Sequence, residues 1–439
     1  MDNNTTSSVP KSMNETSSVE ASVEATLSTV RAEVPQRRTQ PVTIFRVPAY
    51  LRESNRTAYE PRMVSIGPYY HGATTLRAME DHKWRYLHDL LSRNPVVSSS
   101  MLIQEMQSLE PRARACYSER PLLGSDDFVQ MLLLDGCFIL EFFFKLHDKT
   151  TNGGGPNPLY DVGWGRTLIA TDLLLMENQI PFFVVERLYY NIAGVQGSWQ
   201  LLVNLLLEYI SEVPLNTQPS NTGKIRHLLH LCYECSVPKW RPTAAGPKEK
   251  PGPRVKVIPS ATEMSAAGVT FVRRSSPRDM YDVTFDAEHG VMKIPAVVVD
   301  DMKRPLLVNL IAFEQSQGVE EARVVTSYVS LMGMLARTAQ DVELLHRHGV
   351  VDNLLADSKE AARFFSHLGD GSAMDYDRQV FAGLYDDVQR FCRSWWPRHR
   401  AALSRDYFGS PWSAISFFVA GFVVVLTALQ AYFAVFPRK

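Results

Sequence analysis

The stretch "DLLLMENQIPFFVVERLYY", residues 172–190, decides the fold. Its apolar residues neither alternate, as in a half-buried strand, nor keep to one stripe, as on a surface helix. It reads as a helix buried on all sides and broken or kinked at Pro181. Proline brings no N–H, and its ring collides with the carbonyl one turn back. The polar run Glu177-Asn178-Gln179 just before it reads as a patch that satisfies backbone freed by the proline. "AFEQ", Ala312 to Gln315, has the same character in the second half of the chain.

Phe128 to Leu146 is a second segment that is apolar almost all round. Asp135, Glu141 and Lys145 interrupt it, and a lipid-facing span tolerates such charges badly. The segment reads as a fully buried helix with those three residues paired or at its edges. Helical spacing recurs at Thr74 to Leu91, with Leu76, Met79, Lys83, Tyr86, Leu87 and Leu90 on one face. It recurs again at Trp199 to Ile210, Ile225 to Tyr233, Leu306 to Gln317, Ala322 to Ala336, Gln340 to Arg347, Lys359 to His367 and Asp386 to Trp396. "VTIFRVP", from Val42, predicts a short strand or an extended entry. "GVTFVRR" and "YDVTFDAEHGVMKIPAVVVD" alternate around the turn signal Glu288-His289-Gly290 and predict a small β-hairpin. The expected fold is mainly α: a two-lobed helical body with a small β-hairpin, plus one C-terminal transmembrane helix.

The 439 residues exceed one ordinary core. Residues 1–40, rich in Ser, Thr, Asn and Glu, read as a disordered polar tail. An N-terminal helical lobe follows at 41–235. Residues 236–259 form a Pro/Lys-rich flexible insertion, with six prolines between Pro238 and Pro259. A C-terminal helical lobe with the hairpin spans 260–408, and the transmembrane helix 409–436.

That last segment carries no charge from Trp412 to Phe436. As a helix it is about 37 Å long, enough for a hydrocarbon core of roughly 30 Å. Its Ile, Leu, Phe and Val side chains contribute roughly −4 to −8 kcal/mol of insertion. Ser416, Ala420 and Gly421 are small residues on neighbouring turns and leave room for self-association through the span. Arg398, Arg400 and Arg405 precede it and Arg438 and Lys439 follow, so the positive-inside bias is small. The polar stretch from Met1 to Glu20 lacks an apolar signal region. Five cysteines at irregular spacings fit free thiols in a reducing compartment. Four sequons, at Asn3, Asn4, Asn14 and Asn55, argue the other way. The expectation is a single-pass, tail-anchored protein of the plasma membrane or an endomembrane, held in lipid through residues 412–436, its body in the cytosol.

Formal charge is −1, from 46 basic and 47 acidic residues, which gives nucleic acid no basic face. No phosphate-binding loop, H-E-x-x-H or G-x-S-x-G occurs. "HLLHLCYEC" holds zinc-type ligands, His227, His230, Cys232 and Cys235, but on a helix these spread over roughly 200° and do not converge. Asp135 with Glu141, and Asp172 with Glu177, sit in very apolar segments. Burial there would raise their pKa values and suit acid–base work. The alternative is that they bond backbone or pair with an arginine. "SIGPYYHG", Ser65 to Gly72, reads as turn chemistry rather than a Ser/His catalytic pair, since an acid and an oxyanion site are missing. No catalytic, cofactor-binding or metal residue is assigned, and no cofactor.

The ordered pieces "VPAYLRESNRTAYEPRMVSIGPYYHG", "MEDHKWRYLHDLL", "DGCFILEFFF", "DLLLMENQIPFFVVERL", "HLLHL", "IPAVVVD", "LLVNLIAFEQ" and "DVELLHRHGVV", followed by an apolar C-terminus, resemble the plant domain-of-unknown-function family 247. The resemblance runs from about Val42 to Phe436. The family usually reads His-His-Gly where this chain has Tyr70-His71-Gly72, which weakens a metal or catalytic reading of the loop. The resemblance implies a mostly helical, membrane-associated protein without an established enzymatic activity. Some grass members are linked to the self-incompatibility loci as candidate male determinants in pollen. The expected function is therefore non-enzymatic recognition or signalling at a membrane, with an unknown protein partner. The alternatives are a membrane scaffold or stress-related adaptor, and an enzyme of unrecognised type using buried carboxylates.

Overall fold

The computed structural model describes residues 18–28, 41–153, 155, 157–159, 161–194, 198–210, 225–238, 257–318, 322–372, 379–394 and 411–435. Within the 1–40 tail the described residues, 18–28, form an exposed helix, α1. Most of the Pro/Lys-rich insertion, 239–256, lies outside the described residues. The fold is mainly helical, as its sequence pattern implies.

The chain forms two compact units that do not follow chain order. The first comprises Met1–Arg46, Pro61–Tyr209 and Asn221–Leu228. The second comprises Val47–Glu60, Ile210–Ser220 and Leu229–Lys439.

In the first unit, α5 (Ser125–Asn152) is the central element. Phe128, Leu132, Phe138, Ile139, Leu140, Phe142 and Phe143 on it are all buried. Around it pack α3 (Ala78–Arg93), α4 (Ser99–Ala115) and α7 (Phe182–Ala193). Tyr86 of α3 stacks on Phe138 at 5.3 Å between ring centres. Gly136 brings α5 and α7 together: a Cβ there would lie 2.3 Å from Leu188 Cδ1. Proline does not stop α4, which runs through Pro111. Arg112 beside it lies 3.8 Å above the Phe183 ring. The short α6 (Gly165–Asp172) and α8 (Trp199–Ile210) are the unit's remaining α-helices among the described residues.

Here the opening stretch departs from its expected shape. Residues 172–190 are not one kinked helix. Asp172 ends α6, residues 173–181 form turns, and Pro181 is the N-cap of α7. Proline is tolerated at a helix start, where its missing N–H has no intrahelical partner to lose. Of the short strand or extended entry expected at "VTIFRVP", the structure shows the entry, with a single bridge between Ile44 and Tyr117.

The second unit holds α2 (Ala49–Asn55), α9 (Leu228–Ser236) from Leu229 on, α10 (Ala261–Ala266) and the strands. The hairpin is present: β2 (Thr284–Asp286) pairs antiparallel with β3 (Val291–Ile294), Phe285 opposite Met292. Its turn closes at Gly290, φ +68°, where a Cβ would meet Phe391 at 2.3 Å. β1 (Thr270–Arg273) adds a parallel partner to β3, giving the order β1-β3-β2. A second sheet pairs β4 (Val297–Val299) with β5 (Val351–Asn353), also parallel. Helices α11 (Arg304–Ser316), α12 (Val324–Leu335), α13 (Ala339–Arg347), α14 (Ser358–Leu368) and α15 (Ala382–Arg393) surround a core that includes Tyr281, Phe271, Phe313 and Phe364. The sequence marks several starts. Thr338 and Asp341 form a capping box on α13, and the Asp357 side chain caps α14.

The last helix, α16 (Pro411–Val435), lies where the span was expected. Its large apolar side chains between Val419 and Leu429 are 42% to 67% exposed. Among the described residues, however, no helix is long and apolar enough to cross a membrane. The part of α16 whose side chains are described, 419–431, falls short of the roughly 20 residues a span needs. The transmembrane helix expected at 409–436 is thus not found among the described residues.

Candidate functional site

The polar side chains of the first unit gather under one irregular segment, residues 62–67. That segment has no ladder of its own, so its N–H groups need other acceptors. Asp172, at the end of α6, takes three of them. Its Oδ1 accepts from Arg62 N–H at 2.9 Å, and its Oδ2 from Met63 at 2.6 Å and Val64 at 2.9 Å. Asn178 Oδ1 accepts from Ile66 N–H at 2.7 Å, while its amide donates to the carbonyls of Val64 and Asp172. Asp135 on α5 accepts from Gly67 N–H at 2.8 Å. Gln179 donates to the carbonyls of Leu173 and Leu175, in the turn that follows α6.

Asp135 is held in turn by Lys83. The ammonium lies 2.7 Å from Asp135 Oδ1 and 2.7 Å from Glu80 Oε1, and donates to Ser65 Oγ at 3.2 Å. Lys83 and Asp135 are both buried, whereas Glu80 is partly exposed. Burial by itself would lower the Lys83 pKa; Asp135 and Glu80 outweigh it and raise the pKa, so the amine stays charged. Burial pushes the Asp172 carboxyl up to about 6, against the three backbone donors that favour its ionised form.

This network fixes a surface loop. Gly67 has φ +77° and would place a Cβ 2.2 Å from Gln179 O, so only glycine fits. Gly72, also at φ +77°, ends the loop in open space. Between them Tyr69, Tyr70 and His71 are half-buried. Arg46 lies 4.4 Å from the Tyr69 ring centre and pairs with Glu177 at 3.0 Å and Glu119 at 3.3 Å. Tyr70 OH donates to the same Glu177 oxygen at 3.1 Å. His71 Nδ1 is buried and meets no hydrogen-bond partner among the described residues.

The residues singled out by sequence are not brought together as catalytic pairs. Asp172 faces residues 62–64, while Glu177 faces Arg46 and Tyr70. Asp135 faces Lys83, while Glu141 faces Arg93. Ser65 Oγ contacts Lys83 and Glu80. His230 lies 3.4 Å from Glu234 and packs on Phe313, and Cys232 lies beside Ser236. Among the described residues no three His, Cys, Asp or Glu side chains are placed to hold a metal ion. In the second unit Glu314 accepts from Val325 N–H, Thr326 N–H and Thr326 Oγ1, and so caps α12 from the preceding helix. Of the sequons, Asn55 is buried and donates its amide to His367 O at 2.9 Å; Asn3, Asn4 and Asn14 lie outside the described residues.

Sequence reasoning missed the Lys83–Asp135 pair and the part of Arg46. A signal for the first existed: Lys83 stands in the apolar stripe of α3, and a lysine there demands a buried acid. Arg46 had no such signal.

The profile of a plant protein family of unknown function, DUF247, matches residues 44–426. The chain is 28% identical over 418 residues to UPF0481 protein At3g47200 of Arabidopsis thaliana, covering 89% of this chain and 86% of the relative. It is 23% identical over 496 residues to the putative UPF0481 protein At3g02645 of the same plant, covering 90% of each. No solved structure matches.

Proposed function

The chain belongs to DUF247, a plant protein family of unknown function, and from that premise we propose that it is a membrane-anchored recognition protein without catalytic activity. The observation that carries this reading is the loop from Ser65 to Gly72. Buried acids and amides bond its backbone, and its Tyr-Tyr-His tip stays half-exposed. A rigid aromatic surface loses little entropy on binding, and loops held by a scaffold are where specificity concentrates. The carboxylates an enzyme would need are already engaged by backbone donors, Lys83 or arginines.

Anchoring is read from α16. Its exposed Val419, Phe422, Val424 and Leu426 find cover in lipid, and Thr427 Oγ1 donates to Val423 O within the helix. A cytosolic body accords with five buried cysteines, none of them in a disulfide, and with the engaged Asn55 amide. The partner is a protein, and the resemblance to grass members suggests pollen self-incompatibility as its setting.

The test of recognition exchanges residues 65–72 between two alleles of different specificity. Specificity should travel with the loop; if it follows buried helix positions instead, the proposal fails. Anchoring has its own test. The full chain should resist alkaline extraction from membranes, and removal of 409–439 should release it. Protease added to sealed vesicles should digest the body, and full protection would overturn the cytosolic assignment.

A further inference from the structure

Outside that loop, a second buried carboxylate joins α3 to α5. Glu141 is fully buried in α5, with its Oε2 on the guanidinium of Arg93, the last residue of α3. Its Oε1 is buried too and accepts no hydrogen bond among the described residues. The nearest cation to Oε1 is Lys145, one turn on, at 3.6 Å. Lys145 is itself drawn to Asp89 of α3 and lies 4.7 Å from the Tyr86 ring centre. Arg93 is half-exposed, so this ion pair runs from the core to the surface.

We propose that Glu141 and Arg93 form a proton-operated latch between α5 and the C-terminal end of α3. When Glu141 is ionised, it pins the Arg93 side chain against the core. When Glu141 takes up a proton, the pair loses its charge attraction and Arg93 turns to solvent. The cluster of Glu141, Asp89, Arg93 and Lys145 then passes from net zero to one positive charge at the surface.

The surroundings favour proton uptake near neutrality. Burial pushes Glu141 up to about 7, against the pull of Arg93 and Lys145. Asp89 behaves differently: burial would raise it, but Lys145 and His88 hold it below its ordinary value, so it stays ionised. The Cys137 thiol, one turn away on α5, is pushed up to about 12 by burial and by Glu141, and stays neutral. From α4 and α7, which also pack on α5, the charged groups engage elsewhere. Arg112 lies on Phe183 and beside Glu186, and Arg187 pairs with Glu105.

Trypsin reads the latch directly, because cleavage after Arg93 needs a free Arg93 side chain. The full chain in detergent micelles is digested briefly, and cleavage after Arg93 is normalised to cleavage after exposed Arg347, which His348 follows. At pH 8, Glu141→Gln should raise that ratio several-fold over the wild type. On going to pH 6, the wild-type ratio should rise towards that of the variant, and the variant should not change. Equal ratios at pH 8, or a wild-type ratio that ignores pH, would overturn the latch. If Glu141→Gln does not fold, carbon-13 titration of the glutamate carboxyls in the wild type decides. A buried glutamate with a midpoint near 7 supports the latch, and midpoints all near 4.5 exclude it. None of these readouts depends on where the protein is anchored or on what it recognises.

Discussion

Replacing Lys83 by methionine tests the buried network most sharply. Methionine keeps the length and apolar bulk of lysine and removes only the charge. Asp135 then loses the cation 2.7 Å away, while remaining buried and bonded to Gly67 N–H. Breaking one side of a buried ion pair costs about 3–5 kcal/mol. Protonation sets a ceiling, because Asp135 escapes its charge by taking up a proton. From an ordinary value of 3.8, that costs about 5 kcal/mol at pH 7.5 and about 2 kcal/mol at pH 5.5, at roughly 1.4 kcal/mol per pH unit. The sign follows: in the variant the folded Asp135 binds a proton that the unfolded chain does not, so stability falls as pH rises above 3.8. The destabilisation should therefore shrink between pH 7.5 and 5.5 by at most about 3 kcal/mol, because burial already raises Asp135 above its ordinary value in the wild type, against the pull of Lys83. Urea unfolding of the full chain, with hydrogen exchange at the Gly67 amide as local probe, measures both. A cost below about 1 kcal/mol at pH 7.5, or one that does not change with pH, would refute a charged Lys83–Asp135 pair. The apolar double variant Lys83→Met/Asp135→Leu should recover most of the loss but stay about 1–3 kcal/mol short, because Gly67 N–H is left without an acceptor.

Three further outcomes are expected. Gly67→Ala should cost more than about 3 kcal/mol, adding a clash with Gln179 O to a strained backbone, whereas Gly72→Ala, with the same φ and open space, should cost about 1–2 kcal/mol; thermal unfolding of the pair separates clash from strain. Asp172→Asn should cost about 1–2 kcal/mol in urea unfolding at pH 4, where Asp172 is protonated, because the amide nitrogen that replaces one carboxyl oxygen is a donor and leaves at least one of the three N–H groups without an acceptor. Since burial raises Asp172 from 3.8 to about 6, its contribution is full below pH 3.8 and lost as pH rises through 6; the stability profile of the variant should be flatter across that window. Gly136→Ala should cost about 1–3 kcal/mol by overpacking Leu188, and a double-mutant cycle with Leu188→Ala should show strong coupling, as the second change removes the clash.

What was legible in the sequence follows from how local the physics is. α8 appears at Trp199–Ile210 as read, because its apolar spacing is complete within its own length. The hairpin was legible because its strands and turn are contiguous. The parallel partners were not: β4 and β5 are more than 50 residues apart, and nothing in either strand names the other. α4 was not read from the sequence at all; the structure runs it through Pro111, and a helix can bend around a single proline. At Pro181 the proline was seen but its meaning was inverted, because a start and a break look alike when apolar runs, Leu173 to Met176 and Phe182 to Val185, lie on both sides. At the site, each carboxylate could be named but not its partner. Asp172 bonds main-chain N–H groups 108 to 110 residues away, and backbone donors leave no trace in side-chain chemistry.

The detour of Val47–Glu60 into the second unit sets a timetable for the ribosome. Asn55 donates to His367 O, 312 residues later, and Ala58 O accepts from Asn309, 251 residues later. At about 5–20 residues per second, α2 emerges roughly 15–60 s before His367 is made. During that interval the chain on either side of it has everything needed to begin folding, while α2 has nothing of its own to fold onto. A nascent chain of this protein therefore carries, for that interval, a helix whose buried face waits on residues still to be translated. No single cut divides it into two halves that are each complete.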